Sequence, residues 1–291
     1  MTRLRFSPQL RPDPSETERD RTMIRIFSIL AGLFFAGALA WSFVGEAVST
    51  AQDGLPHSAE RSFHEHPKEL ALSSDGAFGT FDRQQLQRGF KVYTEVCSSC
   101  HSLKYVAFRD LTALGYDQDE VKAIAAKVSV PAYNPATGEA KSSPGKPTDH
   151  FPPVVYGGQG SPPDLSLITK ARHGGAAYVY SLLTGYANQP AELLKKYPDA
   201  KVPDGLHYNP YFANLNIAMP PPLTSEGQVT YSDGTKPTVD QMAKDVSAFL
   251  VWTAEPKLDK RKQTGWAVLG FLLFATVLAY LAKRNVWADV H

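Results

Sequence analysis

Cysteine is almost missing from this chain: Cys97 and Cys100 are the only two among 291 residues. A single possible pair excludes a disulfide-framework fold, and if both thiols serve one ligand no structural disulfide remains. Neither charge sign dominates. The 30 basic and 29 acidic side chains leave a net +1, without the basic footprint of a nucleic-acid binder. No internal repeat or low-complexity tract stands out either. Methionine is confined to Met1, Met23, Met219 and Met242. Proline (22) and glycine (21) are plentiful, and an apolar share of 43% is ordinary for a folded chain. That combination describes many turns around a core, not disorder.

Charge is unevenly placed. Positions 53–255 hold 22 acidic and 18 basic residues, a balance of −4, while six basic residues precede Glu46 and six run from Lys257 onward. A mildly acidic centre suits a basic partner better than an acidic one. Long apolar runs also lie at the ends. Residues 26–45, IFSILAGLFFAGALAWSFVG, follow Arg19, Arg21 and Arg25 and lead into a polar stretch with small residues. This reads as a secretory signal peptide, cleaved after Ser49-Thr50-Ala51 or, as a weaker site, after Ala38-Leu39-Ala40. Met23 is an alternative start, and the run is also long enough for an uncleaved anchor. Residues 265–282, GWAVLGFLLFATVLAYLA, carry no charge and as a helix would span roughly 27 Å, close to a bilayer core. Trp266, Tyr280 and Trp287 sit near its ends, where amphipathic rings favour the interface. Four basic residues before this run and two after it would put the large domain inside the cell. A preceding leader overrides that bias and puts it outside.

Between these runs the sequence predicts a mostly α fold with long irregular loops and one C-terminal transmembrane helix. Residues 52–81 are polar and irregular. Asp82-x-x-Gln85 fits a capping box opening a helix through Leu86, Phe90 and Tyr93 to about Cys97. Asp117-x-x-Glu120 opens a second, ending near Ser129. Residues 130–165, rich in proline and glycine, predict an extended loop. A helix over about 176–186 follows Gly174-Gly175, and residues 198–237 are again loop-like. Thr238-x-x-Gln241 caps a further helix with Val239, Met242, Val246, Phe249 and Leu250 on one face, stopped by Glu255-Pro256.

The two cysteines sit in Cys97-Ser98-Ser99-Cys100-His101, the attachment pattern of c-type haem. Two thiols at this spacing reach the two vinyl groups of one porphyrin as thioethers, and the adjacent histidine then lies under the iron. A zinc site needs four ligands, and no second pair has suitable spacing. A thioredoxin-like pair would follow a strand, whereas a helix precedes this one. For the sixth ligand Met219 is the strongest candidate, because Pro220-Pro221-Pro222 stiffen its loop. His173 and His207 are its rivals; Met242 belongs to an amphipathic helix. Ligation by histidine and methionine closes both axial positions and favours outer-sphere electron transfer.

The motif does not stand alone. Arg88-Gly89-Phe90 and Val92-Tyr93 lead into it, followed by Pro162-Pro163-Asp164-Leu165-Ser166, Ala171-Arg172-His173-Gly174-Gly175 with Tyr178, and Ser181-Leu182-Leu183-Thr184-Gly185-Tyr186. Tyr208-Asn209-Pro210-Tyr211-Phe212, Ile217-Ala218-Met219-Pro220-Pro221-Pro222-Leu223, and Asp245-Val246 through Trp252 and Glu255-Pro256 to Arg261-Lys262 complete it. From about residue 86 to 290 this series resembles the cytochrome c1 family of the quinol–cytochrome c reductase (cytochrome bc1) complex. The resemblance implies one covalently bound haem c, Met219 as methionine ligand beside His101, and Arg172 and Tyr178 on the haem propionates. It implies cytochrome b and the Rieske iron–sulfur protein as partners in a membrane complex, cytochrome c as the electron acceptor, and no separate catalytic residue. Some bacterial relatives carry an extra disulfide that this chain has no cysteines to form.

The expected organisation is therefore an N-terminal extension and signal peptide over 1–51, a periplasmic haem domain over 52–262, an anchor over 263–284 and a cytoplasmic tail over 285–291, single-pass in a bacterial inner membrane. A free-standing anchored cytochrome c is the rival function. The long region 112–210 argues against it, since a minimal carrier would not need it. Two further rivals are a haem peroxidase, which needs an open distal position, and a purely structural zinc or disulfide module.

Overall fold

The computed structural model describes residues 14–53, 58–133, 140–158 and 160–289. The extreme N-terminal residues and the middle of the expected 130–165 loop lie outside them. The chain divides into two units, Met1–Ser58 and Ala59–His291. The first is a helix, α1 (Pro14–Asp53), of 40 residues that runs unbroken through both suggested cleavage points. Its Met23–Val48 segment is long and apolar enough to cross a membrane.

The second unit begins with α2 (Ala59–Phe63) and reaches its core with α3 (Arg83–Val92). Asp82 caps α3 by accepting from the Gln84 and Gln85 amides. The reciprocal half of the expected box is replaced, because the Asp82 amide donates to Ser73 Oγ at 3.1 Å. Leu86, Phe90 and Val92 are buried. The helix does not continue regularly to Cys97. Residues Tyr93–Cys97 widen into a π turn closed by the Ser98 amide on the Tyr93 carbonyl at 2.8 Å. Next come a 3-10 segment (Phe108–Leu114) and α4 (Gln118–Ala126), whose Asp117 and Glu120 form a complete reciprocal box.

Residues 130–165 are not all loop. β1 (Ser129–Tyr133) and β2 (Ala140–Pro144) pair antiparallel, Ser129 opposite Pro144. Short helices follow: α5 (Ile168–Ala171), α6 (Gly175–Thr184) and α7 (Ala191–Lys196). A two-residue ladder joins β3 (His207–Tyr208) to β4 (Asn216–Ile217). Then α8 (Val239–Ala254) starts at Thr238, whose hydroxyl accepts from the Gln241 amide at 3.0 Å, and α9 (Leu258–Val286) follows it.

The core lies where α3 crosses α8. A Cβ on Gly89 would stand 2.1 Å from the Asp245 carbonyl oxygen and 2.6 Å from Phe249 Cβ, so only glycine lets the two backbones meet. Phe249 packs its ring near Phe90 (5.6 Å), Tyr93 (5.8 Å) and Trp252 (5.7 Å). Met242 is fully buried in the same cluster. The Arg88 guanidinium spans Asp245 (2.9 Å), which is fully buried, and Asp233 (2.6 Å). Burial opposes its charge, but those two carboxylates overcompensate and drive its pKa upward.

Past Glu255, α9 is apolar from residue 265 to 282, and its hydrophobic side chains there are exposed. That exposure fits a lipid-facing helix and not a buried core helix.

Candidate functional site

The π turn delivers Cys97 to the wall of a cavity of about 660 Å³, inside the range of roughly 300–1,000 Å³ usual for cofactor sites. Thr94 Oγ1 donates to the Phe90 carbonyl at 2.6 Å, a side-chain bond competing with the helical ladder where the turn widens. The amides of Cys100 and His101 both donate to the Cys97 carbonyl, at 3.1 and 2.9 Å, so both thiols and the imidazole sit on one tight turn. All three line the cavity. Before any attachment, burial, reinforced by Cys100, pushes the Cys97 thiol up to about 12.

His101 Nδ1 lies 2.8 Å from the Pro163 carbonyl oxygen. A carbonyl only accepts, so Nδ1 carries the proton and Nε2 keeps its lone pair for a metal. The Pro163 segment is itself held. Ser102 Oγ and the Lys104 amide donate to Asp164 Oδ2 at 2.7 and 2.8 Å, the Ser166 amide to Oδ1 at 3.0 Å, and the Leu165 amide to the Ser102 carbonyl at 2.9 Å. Burial disfavours the Asp164 charge, but these donors outweigh it and hold the carboxyl below its ordinary value.

Met219 lines the same cavity from the segment after β4. Tyr186 Oη donates to the Met219 carbonyl at 3.0 Å, and burial raises the Tyr186 pKa, keeping that donor protonated. Just before β4, Leu215 takes a left-handed backbone (φ 63°), a strained conformation for a non-glycine residue. Arg172 and Tyr178 reach the cavity from either side of the turn between α5 and α6, where Gly174 (φ 80°) and Gly175 (φ 52°) adopt conformations few other residues take. Burial raises the Tyr178 pKa against the opposing pull of the Arg172 guanidinium. Leu165, Ile168, Leu182, Phe212, Val246 and Leu250 supply apolar walls.

Residues 72–290 match the Cytochrome C1 family. The chain belongs to the cytochrome c1 family. Cytochrome c1 of Rhodospirillum rubrum is 45% identical over 74% of this chain and 85% of that protein. A cytochrome b/c1 of Bradyrhizobium diazoefficiens is 38% identical over 91% of this chain but spans it with only 40% of its own length. The mitochondrial cytochrome c1 heme protein of Saccharomyces cerevisiae is 38% identical over 86% of this chain and 78% of its own. The chain is thus a haem-carrying electron-transfer subunit of the cytochrome bc1 complex, and family membership does not favour a free-standing anchored carrier.

The donor set fits haem. Two thiols, an imidazole with a free Nε2 and a thioether line one apolar cavity, with a guanidinium and a phenol as polar groups. All six residues singled out in the sequence therefore meet, from segments up to 122 positions apart (Cys97 to Met219). The rival ligands His173 and His207 do not line this cavity; His207 lines a separate one beside Tyr186 and Tyr208. Among the described residues no group of three or more His, Cys, Asp and Glu side chains is placed to hold a metal ion by itself. Sequence reasoning gave no role to Pro163, Asp164, Ser102 or Tyr186. Pro163 and Asp164 belong to the Pro162–Ser166 motif, but a backbone carbonyl has no residue-type signal.

Proposed function

We propose that the chain binds one haem covalently through Cys97 and Cys100, with His101 Nε2 and Met219 Sδ as the residues that would hold its iron and Arg172 and Tyr178 those that would meet its propionates. The convergence of thiols, imidazole and thioether on one cavity carries this reading. Bound there, the haem supplies a one-electron couple. The chain's own residues tether it, fix the imidazole through Pro163, press the thioether inward through a proline-stiffened loop and exclude water with apolar walls. A positive guanidinium offsets a propionate charge.

The protein then serves in a cytochrome bc1 complex beside cytochrome b, receives an electron from the Rieske iron–sulfur protein and passes it to cytochrome c. The acidic balance of the central region favours a basic acceptor. Its haem domain (52–262) stands on the periplasmic side of a bacterial inner membrane, anchored once by 263–284 with a short cytoplasmic tail, and residues 1–51 act as leader. The deciding experiment is denaturation followed by acid–organic extraction. Haem should remain on the polypeptide, with a mass increase of one haem and a pyridine haemochrome spectrum of two thioethers. Haem extracted into the organic phase would reject covalent attachment.

A further inference from the structure

The segment before α3 is a closed loop pinned to the start of α9. Asp75 Oδ2 accepts from the Leu72 amide at 2.8 Å, and the Thr80 amide donates to the Ser73 carbonyl at 2.9 Å. A Cβ on Gly79 would sit 1.9 Å from the Asp75 carbonyl oxygen, so the loop closes only around glycine. Lys262 Nζ donates to the Ser74 and Gly79 carbonyls at 2.7 and 3.0 Å, and the Phe81 amide donates to Asp259 Oδ1 at 3.2 Å. This scaffold displays Phe78, 80% exposed, with its ring stacked on Trp266 at 4.9 Å and 4° between planes. Trp266 remains 47% exposed.

We propose that Phe78 and Trp266 form one aromatic foot seated among phospholipids at the boundary of headgroups and acyl chains, so that loop 72–81 as well as α9 meets the membrane. The proposal rests on reading Leu258–Val286 as a spanning helix. An exposed ring held on so rigid a loop wastes apolar surface in water. Trp266 opens the apolar stretch of α9, so the foot is continuous with the lipid-facing surface. The indole N–H of Trp266 gives the apolar stack one polar edge, which suits the interface. Lys257 and Lys260 are exposed on the domain side. Six helical residues place Lys260 about 9 Å from Trp266 along the axis, close to the roughly 5–8 Å thickness of one headgroup layer. The Lys260 ammonium therefore sits near the level of the phosphates, with Lys257 farther out on the domain side. The charge of Lys262 is already engaged by the loop.

Site-directed spin labelling tests this on the purified haem-loaded protein with its accompanying subunits, in phosphatidylcholine–phosphatidylglycerol liposomes. Single labels go on Phe78→Cys, on Ala77→Cys (which keeps the stack) and on Leu273→Cys in the middle of the span. By intact mass the unsubstituted chain itself should take no label, because both its thiols are in thioethers; label on this chain would break the covalent-haem reading and not this one, and label on accompanying subunits is subtracted as the background spectrum. Power saturation with oxygen and a neutral nickel chelate then reports depth. Oxygen should broaden the labels at positions 77 and 78 more than nickel does, less extremely than at 273. Nickel exceeding oxygen at both loop positions would place them in water and overturn the proposal. Neither reagent reaching them would show a protein subunit covering the foot, and would overturn it equally. A nickel-dominated label at 273 would defeat the spanning reading and this proposal together.

Discussion

Two methionines outside the N-terminal segment have opposite surroundings: Met242 is sealed in the α3–α8 core and Met219 faces the cavity. Met219→Leu should abolish the weak far-red band of thioether-bound ferric iron, open the sixth position to carbon monoxide and lower the reduction potential. Met242→Leu conserves volume, so it should cost at most about 1.5 kcal/mol in thermal unfolding and leave the spectrum alone. If the second substitution removed the band and the first did not, the ligand assignment would be wrong. Asp164 makes a prediction of pH. Its carboxyl is held below the ordinary value despite burial, by donors from Lys104, Ser166 and Ser102. The folded state thus favours the ionised form. That stability is present above the unfolded carboxyl pKa of about 3.9 and is lost as pH falls through the lower folded value. Asp164→Asn should cost about 1–3 kcal/mol at pH 7 and flatten the acid limb of a stability–pH curve below about pH 4. An unchanged acid limb would reject the assignment.

Helix starts were legible because they depend on one short side chain meeting orphan amides. Asp82, Asp117 and Thr238 all cap their helices, although only Asp117 with Glu120 closes the full reciprocal box. The hairpin Ser129–Tyr133 with Ala140–Pro144 was not, because SVPAY and AKSSP lack an alternating apolar face and each holds a proline. The π turn was hidden too, since widening leaves the apolar spacing of Phe90 and Tyr93 unchanged. In the site, residue types that bind metal or haem announced themselves, while the Pro163 carbonyl and the Tyr186 hydroxyl act through position alone. The helix crossing supplies two element-level tests. Gly89→Ala drives a methyl into the Asp245 carbonyl, a backbone atom that cannot swing aside. It should cost about 2–3 kcal/mol or more in chemical denaturation, and a cost under about 1 kcal/mol would mean that the two helices part easily. Arg88→Met leaves the Asp245 carboxylate buried beside Gln241 (2.9 Å) without its cation. The expected loss is about 3–5 kcal/mol, recovered largely by adding Asp245→Leu.

At the scale of the whole molecule, the fate of α1 sets the number of anchors. Intact mass of the purified chain should show a mature start near Gln52. A start at Met1 or Met23 would retain Met23–Val48 and give two membrane helices. The other anchor is joined to the haem domain with little slack. Only Glu255, Pro256 and Lys257 separate α8 from α9, Leu258 is buried, and Glu255 pairs with both Lys170 (3.5 Å) and Arg261. A tether of that kind removes the swivelling by which a linked carrier searches for its exchange partners. With Leu258–Val286 in a bilayer the cavity would keep one bearing and one height above it, so under the proposed function the motion that completes each exchange would have to come from the partner.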